Sequence, residues 1–280
     1  MSVQIIVDSS VDVAERFRER LHIVPLIIHF GEEELIDGVT INKEQFYRRL
    51  VESEQLPFTS QASPVAFQKV YEEVTQAGDS AVVITLASKL SGTYQSACIA
   101  AGDFDNIYVV DSQTAAIGAG VLTEYALARA EAGADARELA AELERKREDV
   151  CLVALLDTLE YLKRGGRISK TAAFAGGVLS IKPVVAIQDG AVAVLGKARG
   201  SKKGNNLLIQ QVKEAGGIDF DMPFFLGYTG LGDDLVRKYI EDSRELWEGH
   251  VESVGYSTVG GTIGTHVGPG AVALAFFAKQ

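Results

Sequence analysis

Cysteine is scarce in this 280-residue chain, and long apolar runs are absent from it. Cys98 and Cys151 lie far apart and belong to no CxxC or Cys/His cluster, so neither a disulfide framework nor a cysteine-based metal site is expected. Both lie among apolar residues, which favours buried free thiols in a reducing compartment. No run approaches the roughly 20 apolar residues of a transmembrane helix, and no signal peptide precedes the first apolar stretch. These absences predict a soluble cytoplasmic protein, with which a transient membrane contact is compatible.

Several motifs of common enzyme classes are missing as well. The chain has no GxSxG of serine hydrolases, and no GxGxxG follows its first apolar stretch. The segment Gly200-Ser201-Lys202-Lys203-Gly204 has the wrong order and spacing for a phosphate-binding P-loop. His22, His29 and His250 are scattered and do not stand at metal-ligand spacing with acidic residues. We therefore predict neither a metal nor a nucleotide cofactor.

The charges are unevenly distributed. The net charge of −11 argues against general nucleic-acid binding. Residues 163–203 nevertheless carry a net +8, with Asp189 as their single acid. This basic segment indicates either an anionic ligand or partner at one place, or solvated loops whose charges pair with acids elsewhere. Its nine basic residues are Lys163, Arg164, Arg167, Lys170, Lys182, Lys197, Arg199, Lys202 and Lys203.

In the first half of the chain, short apolar runs alternate with helical patterns. This alternation is typical of an α/β fold with a parallel sheet covered by helices on both faces. Two helix starts are explicit: Ser63-Pro64, a hydroxyl cap followed by proline, and Asp135 with Glu138 three residues later. Polar residues 29–57 form an excursion from the sheet. The predicted strands are 3–7, 22–28, 81–86, 107–110 and 150–155, and the predicted helices are 12–20, 63–78, 91–101, a helix ending near 132, and 135–147.

The second half is richer in glycine and in short strands. Asp189-Gly190 lies between two apolar runs and predicts a hairpin turn. We expect a C-terminal α+β domain with an antiparallel sheet, joined to the first domain near residues 157–170. The predicted division is 1–157 and 158–280. The predicted strands are 183–187, 191–195, 223–228, 251–256 and 271–277.

Hydroxyl side chains follow several of the predicted strands. In an open parallel sheet, ligands bind beyond the carboxyl ends of the strands, and helix N-termini there attract anions. We therefore predict an anion site where these loops meet, although each hydroxyl could instead cap its own helix. The loops are Asp8-Ser9-Ser10, Thr59-Ser60-Gln61, Ser91-Gly92-Thr93 and Asp111-Ser112-Gln113-Thr114.

The segment 260–270 combines five glycines with a single imidazole. We interpret it as a loop whose backbone approaches a ligand closely, with His266 and Thr265 at the point of approach. The alternative is a structural histidine in an ordinary glycine-rich connection.

Taken together, these motifs resemble the DegV family along essentially the whole chain. The two most specific are the runs at 162–168 and 264–270. The matching segments are Asp8-Ser9-Ser10, Thr59-Ser60-Gln61, Ser91-Gly92-Thr93-Tyr94, Asp111-Ser112, Thr158-Leu159-Glu160-Tyr161-Leu162-Lys163-Arg164-Gly165-Gly166-Arg167-Ile168, Lys182-Pro183 and Gly264-Thr265-His266-Val267-Gly268-Pro269-Gly270.

The resemblance implies a bacterial, non-catalytic protein that holds a long-chain fatty acid between and within two domains. Such proteins present the carboxylate to a separate ATP-dependent fatty acid kinase subunit, and the acyl phosphate enters phospholipid synthesis. Carried over by motif, the carboxylate contacts are Thr59, Ser91 and His266, with Ser60, Gly92, Thr93 and Thr265 as neighbours. The kinase-facing residues are Arg167, Arg199, Lys202 and Lys203. The acyl chain needs an apolar wall, for which residues 172–187 and 271–277 are candidates.

Two alternatives stay open at this point. The first is an enzyme acting on a small anionic or acyl substrate, with Ser91 as nucleophile or anchor and His266, Asp8 or Asp111 as base. The second is a nucleic-acid or regulatory protein that uses the basic segment, which the overall acidity and the lack of a recognition helix disfavour. Arg199-Gly200-Ser201 also departs from the Arg-Thr that many DegV proteins carry, which leaves the shape of that loop open.

Overall fold

The computed structural model describes residues 2–168 and 181–279. The strands in chain order are β1 Val3–Asp8, β2 Leu21–Val24, β3 Ile27–Phe30, β4 Glu33–Ile36, β5 Phe58–Ser60, β6 Ser80–Thr85, β7 Ile107–Asp111, β8 Val150–Leu155, β9 Ile181–Gln188, β10 Ala191–Arg199, β11 Phe224–Tyr228, β12 Tyr256–Thr258 and β13 Val272–Phe277. The helices are α1 Glu15–Arg18, α2 Lys43–Glu52, α3 Pro64–Gln76, α4 Thr93–Ala101, α5 Ala116–Glu131, α6 Ala136–Lys146, α7 Glu160–Arg164, α8 Ser201–Glu214, α9 Asp234–Asp242, α10 Arg244–Trp247 and α11 Gly261–Val267.

Four parallel strands in the order β2-β1-β6-β7 form the first sheet. Its central strands are apolar on both faces, because each face is covered by helices. Helices α3 and α4 pack on one face, where Phe67 and Tyr71 are fully buried, and α5 and α6 cover the other. This confirms the predicted α/β fold with a parallel sheet between two helical layers.

A six-stranded mixed sheet in the order β10-β9-β8-β13-β11-β12 follows. The Asp189-Gly190 turn joins β9 to β10, and both residues have positive φ, as a tight hairpin turn requires. The strand predicted at 150–155 forms as β8, but it pairs antiparallel with β9 and β13 rather than joining the parallel sheet. A buried strand is a short apolar run in either sheet, so its sequence does not indicate which strands it pairs with.

Three other predicted elements differ in extent. Pro25 divides the strand predicted at 22–28 into β2 and β3, since proline has no N–H for a ladder hydrogen bond. β3 then pairs with β4 and β5 in a small antiparallel sheet, which together with α2 forms the excursion predicted at 29–57. The helix predicted at 12–20 is limited to α1, and the strand predicted at 251–256 is replaced by β12.

Helix α5 lies between the two large sheets and contacts both. It packs on β1 and β6 of the parallel sheet and on β8, β11 and β13 of the other. Gly120 allows α5 to approach the segment after β1 closely, because a Cβ there would lie 2.9 Å from the carbonyl carbon of Asp12. The predicted division of the chain at residue 157 stays a prediction.

Among residues 2–168 and 181–279, no helix has both the length and the hydropathy to cross a membrane. Two sequence predictions, the basic residue Lys170 and the wall residues 172–180, lie outside the described residues.

Candidate functional site

A mostly apolar cavity lies between the parallel sheet and the six-stranded sheet. It contains about 940 Å³ of space outside the protein atoms, part of it open to solvent. Strand ends of the first sheet supply Leu26 and Leu86, and α11 supplies Ile263 and Val267. No acidic side chain lines the cavity in the described part of the chain.

One face of the six-stranded sheet forms a long wall of this cavity. Side chains alternate along a strand, so Leu152 and Ala154 of β8 point to the same face, as do Val185 and Ile187 of β9. Next to them, Ala273 pairs with Ala154 on one side and with Gly227 on the other, which makes a row of small residues across three strands. At Ala154 and Ala273 this row leaves room above the sheet, whereas at Gly227 Val259 and Ile117 pack against the backbone.

The two segments predicted to form the wall contribute in part. From 172–187, Val185, Ala186 and Ile187 line the cavity, and from the second segment Ala271 and Ala273 do so. Phe276 and Phe277 are fully buried in two separate hydrophobic cores instead.

Most of the polar wall residues gather at one end of the cavity. Thr59 on β5, Ser91 before α4 and His266 on α11 all line it, and Arg167 brings the one full charge among the described residues of this wall. Thr59 Oγ1 and His266 Nε2 are 2.9 Å apart, although the two residues are separated by 207 positions. The fold thus gathers the three residues that the sequence resemblance singled out.

The imidazole of His266 is held in its neutral form. Burial, together with the nearby charge of Arg167, lowers the pKa of His266 from 6.5 to about 4. Its Nε2 faces Thr59, while Nδ1 is buried with no hydrogen-bond partner in the described structure and packs against the Cα of Gly165. A neutral imidazole donates through one nitrogen and accepts through the other, so Nε2 can either donate to Thr59 or accept from it.

The glycine-rich segment is a helix rather than the loop that the sequence predicts. Residues Gly261–Val267 form α11, which packs closely on α2. A Cβ at Gly261 would lie 2.7 Å from Cδ1 of Ile28, and one at Gly264 would lie 2.6 Å from Oη of Tyr47. These glycines allow α11 to pack closely on its neighbours. The low helix propensity of glycine therefore wrongly predicts a loop here.

The Thr59 and Ser91 loops contact each other through Gln61 and Gly92. Gly92 lies against the Gln61 side chain, where a Cβ would be 2.8 Å from the amide carbon, and Gln61 Nε2 donates to Ser96 Oγ. The Ser91 and Thr93 hydroxyls are 2.9 Å apart at the start of α4. Thr93 is fully buried, so only Ser91 of this pair lines the cavity.

Ser60 and Thr265 do not join the cavity wall. Ser60 lies on the opposite face of β5 from Thr59, and its Oγ is 2.8 Å from Nε2 of His29. Thr265 is buried and donates to the carbonyl of Gly261 within its own helix.

The two aspartates at the ends of β1 and β7 form turns and are not cavity residues. Asp8 accepts from the Ser10 and Leu86 amides and from the Ser10 hydroxyl, and burial raises its pKa to about 6. Asp111 accepts from the amides of Ser88 and Gln113. The carboxylates of these two loops bind nearby backbone N–H groups and do not line the cavity, so the prediction that three or four hydroxyl loops meet at one ligand stays a prediction, carried here by the Thr59 and Ser91 loops.

A polar depression adjoins the charged end of the cavity on the outside. It shares Thr59, Arg167 and His266 with the cavity and adds Tyr161 and Arg164. The half-buried Arg167 donates to the carbonyls of Leu90, at 3.1 Å, and Gly165, at 2.6 Å. Sequence reasoning placed Arg167 only at an outer surface and missed its position on the cavity wall.

The other basic residues predicted to face a partner are exposed and lie away from this wall. Arg199 ends β10, and Lys202 and Lys203 lie in the first turn of α8. None of the three lines the cavity. In the part of the chain that the structure covers, no group of three or more His, Cys, Asp or Glu side chains could hold a metal ion.

Comparisons with known proteins agree with this geometry. A family described as "Uncharacterised protein, DegV family" matches residues 2–279. A DegV domain-containing protein of Caldanaerobacter subterraneus is 35% identical over 283 residues, covering 99% of both chains. The solved structure of a DegV family protein from Thermus thermophilus, described by its fatty acid binding, is 31% identical with a TM-score of 0.88 and covers 100% of both chains. A stearic acid-binding protein from Eubacterium ventriosum is 26% identical with a TM-score of 0.86, covering 98% of this chain and 97% of that one.

Proposed function

Since this chain belongs to the DegV family, we propose that it binds a long-chain fatty acid in the cavity and presents the carboxylate to a separate ATP-dependent kinase subunit. The observation that carries the proposal is the asymmetry of the cavity: its walls are apolar, and most of its polar groups lie at one end, beside an outer depression. A fatty acid has the same asymmetry.

The apolar wall supports binding of the acyl chain. Each CH₂ group buried there contributes about 0.8 kcal/mol, so a long chain binds tightly without further polar contacts. The small side chains of Ala154 and Ala273 give the chain space above the sheet. The related proteins from T. thermophilus and E. ventriosum are described as binding fatty acids, the second as binding stearic acid.

The polar end supports binding of a carboxylate. An unpaired buried carboxylate is very costly, so it needs hydrogen-bond donors. Ser91 and Thr59 offer hydroxyls, and when His266 donates from Nε2 to Thr59, the Thr59 hydroxyl proton is free for the ligand. Because no acid lines the wall in residues 2–168 and 181–279, no described side chain there repels the carboxylate, and the charge of Arg167 attracts it.

Presentation to a kinase subunit rests on the outer depression and the basic residues. The depression reaches Thr59 and His266 from outside, so a second protein bound there could approach the carboxylate. Arg199, Lys202 and Lys203 are exposed cations for such a partner. This role would place the protein in the cytoplasm, upstream of phospholipid synthesis, with no catalytic residue of its own.

The hydrogen bonds favour this reading over a serine enzyme. A serine nucleophile needs a base within hydrogen-bond reach. Here the Ser91 hydroxyl is bonded to Thr93, while His266 is bonded to Thr59.

Mass spectrometry of the purified and then denatured protein tests binding. We expect one fatty acid per chain, or uptake of added palmitate or oleate by emptied protein. No fatty acid in either case would overturn the proposal. For the partner role, Lys202→Ala and Lys203→Ala should slow acyl phosphate formation with a bacterial fatty acid kinase subunit, whereas Lys69→Ala, an exposed lysine on α3, should not. Equal rates for all three would refute presentation through α8.

A further inference from the structure

Helix α11 has no capping side chain of its own. Its N-cap residue is Gly260, and the helix is only seven residues long. His266 lies six residues after the cap, about 9 Å along the helix axis. Whatever fixes the N-terminal end of α11 therefore also fixes the imidazole.

Two aspartates from distant parts of the chain supply the missing caps. Asp12 accepts from the Gly260 amide with both carboxylate oxygens, at 2.9 and 3.1 Å. Asp37 Oδ2 accepts from the Thr262 amide at 3.3 Å and from its hydroxyl at 2.5 Å. Thr262 itself lines the cavity. Both carboxylates are buried, and negative charge at a helix N-terminus is favourable.

These carboxylates are held in turn by other groups. Lys43 Nζ donates to Asp12 at 2.8 Å and to the carbonyl of Thr258 at 2.6 Å, which ties the end of β12 to the same point. Ser9 donates its hydroxyl proton to Asp37 and accepts from the amide of Leu26, another cavity residue. Burial raises the pKa of Asp37, but the hydrogen bonds from Thr262 and Ser9 favour its charged form.

The position of α11 perpendicular to its axis is fixed by packing, independently of the caps. Gly261 and Gly264 pack on α2 without room for a Cβ, and the Tyr47 hydroxyl donates to the carbonyl of Val259. The helix also packs on α7 and on β3 and β5, and the two caps add direct hydrogen bonds that define the register of its first turn. The caps and the packing together determine where His266 meets Thr59.

On this basis we propose that Asp12 and Asp37 are positioning residues for the carboxylate end: they hold α11 so that His266 stays within hydrogen-bond distance of Thr59. The inference rests on the proposed function and assigns a role to the segment 29–57, which supplies Asp37 and Lys43 as well as the surface of α2 on which α11 packs.

The test compares a fatty acid with the fatty alcohol of the same chain length. Asp12→Ala and Asp37→Ala should weaken palmitate binding about tenfold, the loss of one hydrogen bond to a charged group. Hexadecanol affinity should change less than about twofold, since an alcohol carries no charge. Asp37→Asn keeps an acceptor for Thr262 and should recover part of the loss. Asp135→Ala, which removes the cap of α6 away from the cavity, should change neither affinity.

Three results would overturn the inference. One is palmitate affinity within twofold of wild type in folded Ala variants. Another is an equal loss of palmitate and hexadecanol, which would mean that the caps support only the fold. If the Ala variants do not fold, Lys43→Met replaces them, because Lys43 is partly exposed and its loss releases Asp12. The third result that would overturn the inference is unchanged palmitate affinity in Lys43→Met.

Failure of the proposed function gives a different result. Wild type would then bind neither ligand, and the inference would be tested on the ligand-free protein by an NMR titration of His266. The His266 imidazole signal, assigned with His266→Gln, should titrate near pH 4 in wild type and move toward 6.5 in Lys43→Met and the Ala variants. An unmoved titration would overturn the inference.

Discussion

Gly165→Ala should separate the effect of His266 from almost everything else in the site. Gly165 follows α7 with φ −68, a conformation that alanine adopts easily. A Cβ at this position would overlap Nδ1 of His266 and lie 3.1 Å from its Cε1. Because Thr59 encloses the imidazole on its other side, the ring cannot simply shift away from the new Cβ and must rotate out of its hydrogen-bond geometry.

The expected magnitude follows from the contacts that are lost. Displacing His266 removes its hydrogen bond to Thr59 and misaligns the hydroxyl that serves the carboxylate. Hydrogen bonds to charged groups contribute about 1.5–3 kcal/mol, so fatty acid affinity should fall roughly 10- to 100-fold. The free energy of unfolding should change little, because replacing glycine at a compatible φ stabilises by about 0.4–1 kcal/mol and offsets part of the clash.

Gly166→Ala is the matched control on the neighbouring residue. Gly166 has φ +72 and no atom within 4 Å of an added Cβ, so alanine there suffers backbone strain but touches nothing. The strain should cost about 1–2 kcal/mol and lower the melting temperature by a few degrees, with palmitate affinity unchanged. Isothermal titration with palmitate and thermal denaturation of both variants make the comparison.

The reasoning fails if Gly165→Ala binds palmitate as wild type does. It also fails if both glycine variants lose the same affinity, since the effect would then come from the backbone of this turn and not from His266.

Three further expectations concern individual groups. Thr59→Val keeps the shape of the side chain but removes the hydroxyl, so palmitate affinity measured by titration should fall about tenfold; an unchanged affinity would remove Thr59 from the carboxylate end. The pKa of His266 is about 4 in the folded chain and 6.5 when unfolded, so its contribution to stability is complete above pH 6.5 and decreases by about 3 kcal/mol as the pH falls to 4, because the unfolded chain takes up the proton first. Asp8, with its pKa raised to about 6, changes the free energy of unfolding in the opposite direction below pH 6. The His266 contribution is therefore measured as the difference in stability between wild type and His266→Gln in urea denaturation across this range. A difference that does not depend on pH would contradict the expectation. Arg199→Ala should leave palmitate affinity within twofold of wild type and slow the kinase reaction, whereas loss of palmitate binding would place Arg199 at the ligand.

The sequence predicts the layered architecture because its strongest signals are local. Ser63 caps α3 with proline at the next position, and Asp135 accepts from two amides at the start of α6, as their spacing indicates. The alternation of apolar runs and amphipathic helices likewise requires no knowledge of distant contacts. These features survive folding because tertiary packing reinforces what the local sequence favours.

Distant contacts explain what the sequence does not predict. One partner strand of β8, β13, lies more than a hundred residues away along the chain, and α11 is a helix because α2 accommodates its glycines. Ser60 faces away from Thr59 because neighbouring residues of a strand point to opposite faces. Arg167 is placed on the cavity wall by its bonds to the carbonyls of Leu90 and Gly165, which a motif of basic residues cannot indicate.

The position of α5 between the two sheets bears on how the protein unfolds. Its residues belong to the hydrophobic core that also contains Val82 of the parallel sheet and Ala275 of the six-stranded sheet. Neither half can lose its structure without exposing the face of α5 that the other half buries. A fragment cut after β8 would keep this helix but leave one of its sides bare to water. The two halves should therefore melt in a single cooperative transition, and separately expressed halves should aggregate or associate with each other.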